Sequence, residues 1–78
     1  MKSITHQEKK ILDLIGRGYT TARIGQALAI SAHTVESHRK NLLIKLSARN
    51  AAELVRKAIE LKIIQVTHSD QQHYYEDE

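Results

Sequence analysis

Apolar residues recur along this chain at helical rather than strand spacing. Ile11, Leu12 and Ile15 form one stripe, Ile24 and Leu28 a second, and Val35, Leu42 and Leu46 a third with Leu43 beside it. Further on, Leu54, Ala58 and Leu61 share a line, with Val55, Ile59 and Ile63 on an adjacent one. Each stripe has its own punctuation. Thr5 with Glu8 three residues later is a capping box, Thr20 or Thr21 caps the next segment, and Ser31 caps a longer one. Asn50 with Glu53 repeats the capping pattern for the last. Gly16-Arg17-Gly18 ends the first helix, because glycine takes a positive φ without a Cβ clash. Asp13 and Arg17 are spaced for an i,i+4 ion pair. The pattern predicts an all-α domain of four helices, the third at about 32–46 and the fourth at about 51–63. Residues 67–78 have no apolar periodicity, so a domain at 1–66 and a disordered acidic tail at 67–78 are expected.

Composition narrows what such a domain can be. With 78 residues there is room for one small core, and with no Cys, Phe or Trp it must be built from Ile, Leu, Val and Ala. A disulfide framework and a thiolate zinc site are excluded. The net charge of +3 conceals a split: residues 1–66 hold all 12 Lys and Arg against five acids, a balance of +7, and residues 67–78 carry −4. No apolar run approaches the roughly 20 residues of a membrane span, and Met1-Lys2-Ser3-Ile4 opens no signal peptide. A cytoplasmic location without membrane contact is the expectation. His33 and His38 do not share a helix face, and His68 and His73 fall in the tail, so no metal site is expected. Nucleophile–base pairs, glycine-rich phosphate loops and paired carboxylates are also missing, which argues against an enzyme and against a cofactor.

The informative stretch is Thr20 to Leu46. The spacing Ile24-x-x-x-Leu28-x-Ile30-Ser31-x-x-x-Val35 suits a helix-turn-helix. Ile24 and Leu28 bind the first helix to the core, Ile30 plugs the turn, and Val35 anchors the second helix. At about 100° per residue, Leu42 and Leu46 lie within about 20° of Val35. Glu36, Ser37, Lys40, Asn41 and His33 point roughly 100–240° away, outward. Their chemistry suits double-stranded DNA. Lys40 can donate to guanine, Asn41 can bond adenine, and Glu36 can accept from the cytosine amino group. Ser31 and Thr34, at the helix start, suit phosphate contacts. The bland alternative pairs Lys40 with Glu36 on a solvated face.

The body resembles the LuxR-type (NarL/FixJ-type) DNA-binding domain of bacterial transcription regulators. The matching residues are Ile4-Thr5-x-x-Glu8-x-x-Ile11-Leu12-x-Leu14-Ile15 and Gly18-Tyr19-Thr20. They continue as Ile24-x-x-x-Leu28-x-Ile30-Ser31-x-x-Thr34-Val35-x-x-His38, Asn41-Leu42-Leu43-x-Lys45-Leu46 and Ala52-Glu53-Leu54-Val55. The resemblance implies a third helix in the major groove and a fourth at a homodimer interface. It puts Glu36, Ser37 and Lys40 where the family reads bases, and Thr34, His38 and Lys45 near the DNA backbone. Thr20, Thr21 and Arg23, at the start of the preceding helix, are further phosphate candidates. Ala52, Val55 and Ile59, with Ile63, form the expected dimer face, their alternative role being extra core against the first helix. RNA polymerase is a candidate second partner, and the domain is the output of a response regulator or a single-domain regulator.

Some positions depart from the family pattern. Gln7 replaces an arginine, Arg23 stands where an acid is common, and Ala51 replaces a frequent arginine. Gly25 replaces an alanine and is expected to weaken its helix by up to about 1 kcal/mol. Ser47-Ala48 replaces Gly-Val, which strains Ser47 if the chain turns left-handed there. Rival functions are a protein-interaction module, suggested by Glu36 and by an outward Ile44, and a sigma-factor-like helix-turn-helix without independent operator binding. The helix beginning at Asn50 argues against the latter.

Overall fold

A computed structural model describes residues 3–65, and they form four helices. These are α1 (His6–Gly16), α2 (Thr21–Leu28), α3 (Ala32–Lys45) and α4 (Ala51–Glu60). The expected acidic tail, together with His68 and His73, lies outside the described residues. Every expected cap forms. Thr5 and Glu8 make the full reciprocal box, Thr20 accepts from Arg23 N–H, Ser31 from Thr34 N–H, and Asn50 from Glu53 N–H. The fourth cap differs in one bond: the Glu53 carboxylate accepts from Arg49 N–H at 2.7 Å. Asp13 pairs with Lys9 at 3.4 Å instead of with Arg17.

The four helices also end alike. In each, the N–H of a left-handed residue and that of its successor bond back to carbonyls three and five residues earlier, the closure of a Schellman motif. Gly18, Ala29, Ser47 and Lys62 are the left-handed residues, and three of them carry a Cβ. Ser47, at φ 54°, is therefore strained as expected from its sequence. Lys62, at φ 60°, stops α4 at Glu60, short of the expected residue 63. Lys62 N–H bonds Ile59 carbonyl and Ile63 N–H bonds Ala58 carbonyl, so the chain folds back and buries Ile64.

The core lies where α3 crosses the other helices. Ile11, Leu12 and Ile15 of α1 meet Ile24, Val35, Leu42, Leu46, Leu54, Ala58 and Ile64. Tyr19, Leu28 and Ile30 pack at its margin. Gly25 corrects an expectation. A Cβ there would stand 2.7 Å from the backbone oxygen of Ile30, so in this chain the bare glycine lets the turn close onto α2. Its helix-weakening cost is offset by that approach. The result is an α2–turn–α3 unit held as one body, with one side of α3 fixed inward.

Candidate nucleic-acid interface

Because Val35 and Leu42 are fully buried, the opposite face of α3 must point away from the protein. His33, Glu36, Ser37, Lys40, Asn41 and Ile44 are all exposed. Among the described residues, the side chains of His33, Ser37, Lys40 and Asn41 make no hydrogen bond or ion pair within the protein. The proposed pairing of Lys40 with Glu36 is not formed. Glu36 instead accepts a hydrogen bond of 2.6 Å from the Thr21 hydroxyl, and Arg39 Nε stands 3.8 Å from its other oxygen. That contact joins α2 to α3 across 15 residues of sequence and fixes one carboxylate oxygen, with Arg39 beside the other. It also takes up the Thr21 proton, which is then not available for a phosphate.

The helix starts offer a different chemistry. Ser31 Oγ accepts from Thr34 N–H at 3.0 Å and lies 2.9 Å from Thr34 Oγ1, so one of the two hydroxyl protons remains for an outside acceptor. Thr20 Oγ1 accepts from Arg23 N–H at 3.2 Å and keeps its own proton. Both helices end there in N–H groups without intrahelical partners, which favour an anion. Arg23 stacks its guanidinium 4.6 Å from the centre of the Tyr19 ring, a cation–π contact that holds the cation at the start of α2. His38 is half-buried, and its Nδ1 is buried without a partner. Only its other ring nitrogen can meet a ligand.

Lys45 has another role than the phosphate contact expected of it. Its ammonium donates to Glu8 Oε1 at 2.7 Å and to the Ser3 carbonyl at 3.0 Å. Burial pushes the Glu8 carboxyl up, but the Lys45 hydrogen bond, the Thr5 N–H and the Lys45 charge outweigh it and hold Glu8 below its ordinary value. This pair ties the last turn of α3 to the first turn of α1. Sequence reasoning saw Glu8 only as a capping residue, since 37 positions separate it from Lys45. The clue was present in Lys45, which lies roughly 80° from Val35 and about 100° from Leu46 at about 100° per residue, on the flank of the core instead of the outward side.

On α4, Ala52 and Ile59 are exposed and Val55 is half-buried. Val55 and Ile64 reach over Gly16 of α1, so the second stripe is in part the extra core of the alternative reading. Glu53, between Arg49 and Arg56, is held below its ordinary pKa chiefly by the Arg49 N–H and guanidinium. No helix of the described residues is long and apolar enough to cross a membrane.

Comparison with known proteins agrees with this geometry. The family described as bacterial regulatory proteins, luxR family, matches residues 2–58. The transcriptional activator protein SolR of Ralstonia nicotianae is 42% identical over 62 residues, covering 80% of this chain and 26% of its own length. The oxygen regulatory protein NreC of Staphylococcus aureus is 34% identical over 64 residues, covering 82% of this chain and 30% of its own length. The chain thus spans less than a third of either relative. The solved transcription factor GerE superposes with a TM-score of 0.79 at 28% identity, covering 85% of this chain and all of its own.

Proposed function

The chain belongs to the luxR family of bacterial regulatory proteins as a helix-turn-helix DNA-binding domain, and on that premise we propose how it reads its site. The α3 helix lies in the major groove of duplex DNA, with Ser37, Lys40 and Asn41 at base edges and Glu36 accepting from a cytosine amino group. Thr20, Ser31, Thr34, Arg23 and the outer nitrogen of His38 hold the phosphates on either side. Thr21 acts through Glu36, whose orientation it fixes. Lys45 serves the fold first, through Glu8. One observation carries the reading: the α3 face opposite the buried Val35 and Leu42 is exposed, and its Ser37, Lys40 and Asn41 have no partner among the described residues.

A homodimer through Ala52, Val55 and Ile59 would set two α3 helices against two half-sites. Transcription regulation in the cytoplasm, as the output domain of a response regulator or as a single-domain regulator, is the matching role, with RNA polymerase as a second partner. Selection of duplexes from a random pool, followed by titration at several salt concentrations, tests the reading. A preferred, two-fold related site is expected, with log K falling by about 0.9 per phosphate contact for each tenfold rise in salt. Equal affinity for all sequences, or no binding at low salt, would overturn it.

A further inference from the structure

Ile44 stands out on the α3 face. It is 76% exposed, more than Leu61 at 52% or Ile59 at 38%. At about 100° per residue it points roughly 180° from Val35, directly away from the protein. It continues a line that runs through Ser37 and Lys40, seven and four residues before it, on successive turns of one face. Covering it by the α4 surface of a second copy is not implied by this placement, because α3 turns this face away from its own contact with α4.

We propose that Ile44 is a specificity-determining residue that packs against the C5-methyl group of a thymine, an inference that rests on the DNA-reading role of α3 given above. A branched alkyl side chain can neither donate nor accept a hydrogen bond, so base edges rich in polar groups offer it little. The thymine methyl is the apolar group that the major groove presents. Lys40, one turn earlier, brings the face to the bases by its charge, and the line from Ser37 to Ile44 spans about 10 Å at 1.5 Å per residue. That is about three base-pair steps, so Ile44 reads a base pair beyond those met by Ser37 and Lys40.

The test compares wild type with Ile44→Ala on the duplex obtained by selection, replacing each thymine in turn by deoxyuridine, which removes only the methyl. Ile44→Ala retains the fold, since the side chain touches little, and thermal unfolding checks this. One thymine in each half-site is expected at which the wild type loses about fourfold in affinity and Ile44→Ala loses none. Lys40→Ala, as the control, keeps the methyl effect at that position. If the wild type is indifferent to every deoxyuridine, or Ile44→Ala shows the same profile as wild type, the proposal is overturned while sequence-selective binding stands. Unchanged DNA binding with lost self-association would also overturn it, in favour of a protein contact. Absence of any sequence preference in the wild type would remove the reading role of α3 itself, and the proposal with it.

Discussion

Two faces of α3, two residues apart in sequence at Leu42 and Ile44, experience opposite environments. Leu42 is fully buried among residues of the other helices, and Lys45 next along is tied to Glu8 and to the Ser3 carbonyl. Ile44, Lys40 and Ser37 project into solvent without such partners. Leu42 and Lys45 have their contacts supplied by the other helices, and Ser37, Lys40 and Ile44 have none of that kind among the described residues. Binding strength and folding stability are therefore separable by face along a single helix.

The comparison breaks most visibly at its aliphatic pair. Leu42→Ala should cost about 2–5 kcal/mol, enough to unfold much of so small a domain, whereas Ile44→Ala should stay within about 0.5 kcal/mol of wild type. Urea unfolding of both variants checks this, and equal losses would mean that α3 is not oriented as described. The charged pair gives the next effect. Glu8→Gln leaves the Lys45 ammonium without its anion and should cost about 2–3 kcal/mol, less than for a fully buried pair because Lys45 keeps some access to water. Its pH dependence has a definite sign. Glu8 is held below its ordinary value near 4.5, so its stabilisation is complete above that value and disappears as the pH falls through the lower one. Wild type should lose more stability than Glu8→Gln between neutral pH and pH 3, as read by urea midpoints.

On the outward face, Lys40→Ala should leave the unfolding midpoint unchanged and weaken binding by about 1–3 kcal/mol, relaxing preference at one base pair. A uniform loss over all sequences would move Lys40 to a phosphate. Smaller effects come from the helix ends. Ser47→Gly and Lys62→Gly should each stabilise by up to about 1 kcal/mol by relieving a left-handed Cβ, with DNA affinity unaltered. Gly25→Val, by contrast, should destabilise, by about 1–3 kcal/mol, because its side chain meets the Ile30 carbonyl.

Local signals in the sequence were sufficient for most of the fold. The Thr5, Thr20, Ser31 and Asn50 caps and the apolar stripes depend on residues within one or two turns, and they formed where the spacing put them, except that Leu61 falls past the end of α4 and is 52% exposed. The outward face of α3 was legible for the same reason, since Val35 and Leu42 fix its direction. Four features depended on contacts distant in sequence or on backbone geometry. Lys45 met Glu8 from 37 positions away, and Thr21 met Glu36 from 15. Gly25 seemed a weak helix residue until the turn was seen to close onto it. The end of α4 was missed because a lysine, not a glycine, takes the left-handed position.

The most direct test is a backbone amide chemical-shift titration of the domain with its selected duplex. The largest changes are expected on Ser37, Lys40, Asn41 and Ile44 and at the starts of α2 and α3, with Leu54 and Ala58 of α4 little affected. Saturating shifts confined to α4, or none on the outward face of α3 at low salt, would contradict the DNA-reading role of α3.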